Sequence, residues 1–188
     1  MTMKKISWIF MAVISFLSAC APLPFDQMPI REQRDFLHDI KRIVDANDLA
    51  DVPGISRWLR IDFVVESEGN VYVDDGLVLR GYRTVFKVVS LGREYGKGKG
   101  GVDYSMLLPS DGSSRRTRIR VSIDSGAICV SSRDLFDVFG ESRRIPLNHG
   151  NGWGYLYFSG GEGVEAYFRF YGNGCLSDIG LRQGNLKG

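Results

Sequence analysis

Apolar residues recur at helical spacing from position 31 onward. Phe36, Leu37, Ile40, Ile43 and Val44 fall on one side, and Arg31, Glu32, Arg34, Asp39 and Lys41 occupy the other. The spacing predicts one amphipathic helix of about four turns, ending near Asn47. Beyond it the period changes to two. Leu59-Arg60-Ile61-Asp62-Phe63-Val64-Val65, Val71-Tyr72-Val73, Leu77-Val78-Leu79 and Thr84-Val85-Phe86-Lys87-Val88-Val89 are strand-like runs. Glu68-Gly69-Asn70 and Asp74-Asp75-Gly76 separate them with hairpin-turn composition. Residues 116–123 alternate strictly, as a strand with one wet face does, and 153–158 and 164–171 continue the style around Gly160-Gly161-Glu162-Gly163. The pattern predicts an α+β fold, an N-terminal amphipathic helix followed by antiparallel β-sheet.

One internal comparison suggests two tandem helix-plus-meander units. Asp48-Leu49-Ala50-Asp51-Val52-Pro53-Gly54-Ile55-Ser56-Arg57-Trp58-Leu59 matches Asp134-Leu135-Phe136-Asp137-Val138-Phe139-Gly140-Glu141-Ser142-Arg143-Arg144-Ile145 without a gap, sharing Asp, Leu, Asp, Val, Gly, Ser and Arg. A short helix ending at a glycine, then a meander, is expected in each of the units 30–128 and 129–188 of one domain spanning 30–188. Chance similarity between two helix ends is the alternative.

The first nineteen residues have the layout of an export signal: Lys4 and Lys5, an apolar run over 6–17 broken by Ser7 and Ser15, then small residues before a cysteine. The run is shorter than the ~20 apolar residues that span a bilayer. Leu17-Ser18-Ala19-Cys20 resembles the lipobox of bacterial lipoproteins. That resemblance implies cleavage after Ala19 and lipid on Cys20, with two or three acyl chains giving a firm anchor. Residues 20–29, with three prolines, form the expected tether. Ala21 stands where an Asp would retain the chain at the inner membrane, so the expected location is the outer membrane, facing the periplasm. A plain secretory signal is the alternative.

Charge and cysteines narrow the picture. Without Lys4 and Lys5 the remaining chain has 22 basic against 22 acidic residues, which gives no support for a nucleic-acid partner. Cys129 and Cys175 each adjoin a glycine-containing turn in a compartment that permits disulfides, and a bridge between them is expected. Two separate buried thiols are the alternative.

Catalytic groups are sparse. His38 and His149 are far apart in sequence, metal-ligand spacings are lacking, and no serine lies in a Gly-x-Ser-x-Gly elbow. The expectation is a non-enzymatic protein with no metal and no cofactor. Residues 92–101 carry Lys97 and Lys99 among glycines but lack the Ser or Thr of a phosphate loop, and are expected to be a hairpin tip. Arg115, Arg116, Arg118 and Arg120 form a positive stripe, either a solvated face or a surface for an acidic partner.

Residues 141–154 hold interface-type side chains on what looks like a long connection, among them Asn148. The candidate partner-binding set is Arg143, Arg144, His149, Asn151, Trp153, Tyr155 and Tyr157. In the run over 153–158, Leu156 and Phe158 are the more apolar set and are expected to face the core, leaving Trp153, Tyr155 and Tyr157 as an exposed row. An ordinary loop with Trp153 turned inward is the competing reading.

The second half also resembles a known unit. Ser132 as a cap, Leu135, Val138, Phe139-Gly140, Trp153-Gly154-Tyr155, Phe168-Arg169-Phe170 and Gly174-Cys175-Leu176-Ser177-Asp178-Ile179 resemble the pattern of BamE/SmpA-type outer-membrane lipoproteins. Tandem copies of such a unit resemble the beta-lactamase inhibitory protein, which docks its sheet on an enzyme. The family's Gly-Met-Thr helix start is absent. The resemblance, with the anchor, implies a periplasmic protein binder. The expected role is an immunity lipoprotein neutralising a toxin delivered by type VI secretion, with residues 93–101 or 143–152 occluding its active site. The alternative is a BamE-like accessory of outer-membrane assembly.

Overall fold

The computed structural model describes residues 23–73, 76–96, 101–147, 152–160 and 163–184. The export signal, Cys20, His149 and Asn151 lie outside the described residues. After a 3-10 turn at Phe25–Gln27 the elements are α1 (Gln33–Ala46), α2 (Val52–Leu59), β1 (Ile61–Val73), β2 (Val78–Leu91), β3 (Val102–Pro109), β4 (Arg116–Ser122), α3 (Ser132–Phe139), β5 (Arg143–Pro146), β6 (Gly152–Phe158), β7 (Glu165–Tyr171) and β8 (Leu176–Gln183).

All eight strands join one antiparallel sheet in the order β1-β2-β3-β4-β8-β7-β6-β5. This corrects the expected fold class. The body is a single sheet rather than an N-terminal helix followed by a meander, or two tandem units. α3 interrupts the run of strands, and β4 pairs with β8 from Thr117↔Gln183 to Ser122↔Asp178, so the two groups of strands share one sheet and one core.

The internal match fails for a local reason. Gly54 sits in the first turn of α2, where the Asp51 carboxylate caps its N–H at 3.1 Å. Gly140, its counterpart, terminates α3 with a positive φ of 74°. The match therefore lays a helix start on a helix end. Glu68-Gly69-Asn70 is likewise no turn, because β1 runs through it, pairing Gly69 with Arg83 and Asn70 with Tyr82.

The first helix follows its periodicity closely. Phe36, Leu37, Ile40, Ile43 and Val44 are buried, and Asn47 closes α1 in the left-handed conformation that asparagine tolerates. α3 is capped by Ser131 rather than Ser132, in a reciprocal box with Asp134. The three helices cover one face of the sheet. Their apolar sides share a core with Tyr104, Ile119, Val121, Phe168, Phe170, Ile179 and Leu181, the inward-pointing alternates of β3, β4, β7 and β8.

Buried polar groups tie this layer to the sheet. The Arg31 guanidinium donates to Glu94 Oε1 (2.6 Å), Asp39 Oδ2 (3.0 Å), the carbonyls of Trp58 (2.7 Å) and Leu59 (3.2 Å), and the Tyr95 hydroxyl (2.9 Å). Against the cost of burial, Tyr95, Glu94 and Asp39 hold the Arg31 pKa above its ordinary value. Leu49, in the turn between α1 and α2, is served on both sides of its peptide. Its N–H donates to Gln183 Oε1 at 2.8 Å, and its carbonyl accepts from the Tyr104 hydroxyl at 2.7 Å. Burial pushes the phenol pKa of both Tyr95 and Tyr104 well above the usual value.

Cys129 and Cys175 form a disulfide. The bridge joins the segment entering α3 to the turn between β7 and β8, where Leu176 N–H also bonds Val130 O at 2.8 Å.

Candidate functional site

Among the described residues no helix covers the second face of the sheet, and its central rows can be read directly from the pairing. One row is Asp103↔Arg120↔Gly180↔Tyr167↔Leu156↔Arg143, crossing β3, β4, β8, β7, β6 and β5. The next is Ser105↔Arg118↔Arg182↔Glu165↔Phe158. Arg116 and Arg169 flank them on the same face, opposite Leu107 and Asp178.

Tyr167 occupies the middle of this surface. A methyl group on Gly154 would lie 2.8 Å from Tyr167 Cε2, and one on Gly180 would lie 3.8 Å from Tyr167 Cβ. The tyrosine therefore lies flat, with its ring over Gly154 in β6, an arrangement that only glycine permits there. Arg118, Arg120, Arg169 and Arg182 surround it, and together with Tyr167 and Gly180 they line a shallow depression.

Carboxylates are scarce on this face. Asp178 serves two arginines, Arg120 at 3.0 Å and Arg169 at 3.8 Å, while Glu165 lies 3.8 Å from Arg182. Among the described residues Arg118 has no acidic partner within salt-bridge distance. Arg118 and Arg182 stand directly opposite each other on neighbouring strands, an unfavourable placement for like charges.

The structure distributes the expected partner-binding residues over two faces. Arg143 is exposed on the uncovered face, at the end of the Tyr167 row. Arg144 points to the other side, with its guanidinium 5.8 Å from the Trp153 ring centroid. The expected orientation of β6 is reversed. Tyr155 is buried, Trp153 and Tyr157 pack against the core, and Phe158 is 55% exposed. Trp153 stacks on Phe170, Tyr155 meets Phe136 edge-on, and Tyr157 meets Phe139. Greater apolarity favoured Leu156 and Phe158 as the inward pair, but the aromatic rings of α3 provide the partners for Tyr155 and Tyr157.

One loop expectation changes as well, and a second holds in outline, since residues 92–101 join the paired strands β2 and β3. Residues 143–146 are strand β5 rather than part of a long connection. The 92–101 segment begins in the core. Glu94 and Tyr95 are 1% exposed, and Tyr95 bridges to Ile123. Its residues 97–100, with Lys97 and Lys99, lie outside the described residues. His38 is exposed on α1.

No protein-family model, curated protein or solved structure matches this chain. Among the described residues no group of three or more His, Cys, Asp or Glu side chains is placed to hold a metal ion, and no helix is long and apolar enough to cross a membrane.

Sequence reasoning found the arginines of β4 but missed Tyr167, Arg169 and Arg182. Their signal was present as alternation in the runs over 165–171 and 178–182. Only the β4–β8–β7 pairing brings them beside Arg118 and Arg120.

Proposed function

We propose that the protein is a lipid-anchored periplasmic binder of another protein, attached to the outer membrane through Cys20. Its role is that of an immunity lipoprotein that blocks the active site of a toxin delivered by type VI secretion. The observation that carries this reading is the uncovered sheet face centred on Tyr167. It extends from β3 to β5, and it is furnished with arginine and tyrosine, the side chains that dominate protein interfaces. A sheet that buries only one side ordinarily clothes the other in mixed polar residues. Here an aromatic ring lies at the centre, with arginines around it.

The anchor places the binder where a cell-wall or phospholipid enzyme would act. A tethered antidote meets such an enzyme at high local concentration. Co-purification of the full chain with the product of the adjacent gene tests the reading. A stable complex that inhibits that protein's activity is expected, and absence of any complex at micromolar concentrations would sink the proposal. The anchor is tested separately. Cys20→Ser removes the only thiol that can carry the lipid, so the variant should leave the outer-membrane fraction.

A further inference from the structure

We propose that the occupant of the uncovered face is an acidic protein surface, and that one of its carboxylates sits between Arg118 and Arg182, beside Tyr167. This inference rests on the protein-binding reading above and specifies the chemistry that the partner must present. From β3 across to the edge strand β5 the face holds Arg116, Arg118, Arg120, Arg143, Arg169 and Arg182 against Asp103, Glu165 and Asp178. The chain after the export signal is electrically balanced, so this excess is a segregation of charge by face and not a property of the whole. Such a face steers acidic partners and repels basic ones.

All six cations are arginine, although lysine would serve solubility equally well. Arginine presents a planar fork that takes a carboxylate with two parallel hydrogen bonds. Placing Arg118 directly opposite Arg182 costs the free protein stability, because like charges on paired strands repel. Glu165 relieves Arg182 only at 3.8 Å, and the one carboxylate of Asp178 is divided between Arg120 and Arg169. A local electrostatic fault in an otherwise consistent sheet is expected at a functional position. A carboxylate from outside would bridge the two guanidinium groups and remove the repulsion. Tyr167, lying flat over Gly154, gives the aromatic floor on which the partner's backbone or side chain rests.

A photo-crosslinking amino acid placed at Ser105, at Leu156, or at exposed His38 on the opposite side of the molecule, in the full chain within cells, tests this. The expected result is a protein adduct from Ser105 and Leu156, with the captured peptide rich in Asp and Glu. In the Arg118→Glu background the adduct should fall about tenfold or more, as loss of a charge-matched contact does. The melting temperature of Arg118→Glu should stay level or rise, since a Glu there faces Arg182. A merely structural arginine would lower it. Adducts to lipid from Ser105 would identify an anionic membrane as the occupant and overturn the proposal. Protein adducts from His38 alone would overturn it while leaving the protein-binding reading intact. Absence of protein adducts at all three positions would remove both.

Discussion

Arg31 and Glu94 form a buried ion pair although 63 positions separate them in the chain. The guanidinium has five N–H donors, and the five acceptors described for it account for all of them. A buried pair of this kind is costly to break and cheap to replace as a unit. Arg31→Met should therefore destabilise the fold by about 3–5 kcal/mol, because Glu94 is left enclosed without its partner. The double variant Arg31→Met, Glu94→Leu should recover part of that loss. Urea unfolding of the single and double variants gives the coupling. Simple additivity of the two single losses would show that the pair is not the unit inferred.

Alkaline pH should unfold the protein through its enclosed phenols. Tyr95 and Tyr104 are neutral in the folded state, and burial holds the pKa of each above the ordinary 10.0. Below that value both states keep their protons, and the stabilisation is complete. Above it the unfolded chain ionises while the folded one does not. Stability then falls by about 1.4 kcal/mol per pH unit for each tyrosine until the folded groups also titrate. Denaturant midpoints measured on either side of pH 10.0 should show the decline, and Tyr104→Phe should lessen its slope. The phenolate absorbance of these two groups should rise only with unfolding.

Reduction of Cys129–Cys175 frees a loop with ends 46 residues apart. In the chain-entropy account a loop of that length contributes about 4 kcal/mol at most. Denaturation with and without reductant should show a loss of that order or smaller, and Cys129→Ser with Cys175→Ser should reproduce it. Two titratable thiols in the unreduced protein would contradict the bridge.

How far the sequence reaches is visible in particular residues. α1 was legible because Phe36, Leu37, Ile40, Ile43 and Val44 repeat at one period, and the element carries its own signal. β4 was legible for the same reason, with Thr117, Ile119 and Val121 buried in alternation. The turn proposed at Gly69 was not, because glycine and asparagine composition is shared by turns and by distorted stretches of edge strand, and β1 has irregular pairing on both sides of it. The binding face was the hardest part to read. Arg118 and Arg182 are remote in sequence and become neighbours only through the β4–β8 pairing, a long-range choice that periodicity does not encode. The orientation of β6 failed on a similar point. Tyr155 and Tyr157 look less apolar than Leu156 and Phe158, but Phe136 and Phe139 on α3 supply the rings they pack against.

Arg143 and Trp153 belong to neighbouring strands and offer a final, discriminating prediction. Arg143 pairs with Leu156 and is exposed on the uncovered face, in the same row as Tyr167. Trp153 pairs with Pro146 and turns to the helix side, with its ring parallel to Phe170 at 6.2 Å and Arg144 over it. Both belong to the expected binding set, yet they should behave oppositely. Trp153→Ala removes a large, partly buried ring from the core and should cost about 3 kcal/mol of stability, close to the lower end for such truncations. Its effect on partner affinity should be small once the protein is folded. Arg143→Glu should leave the melting temperature nearly unchanged, as exposed substitutions do, while weakening a complex with an acidic partner. Thermal melting and affinity measured on both variants decide the matter. Loss of affinity without loss of stability in Trp153→Ala would place the interface on the helix side of β6.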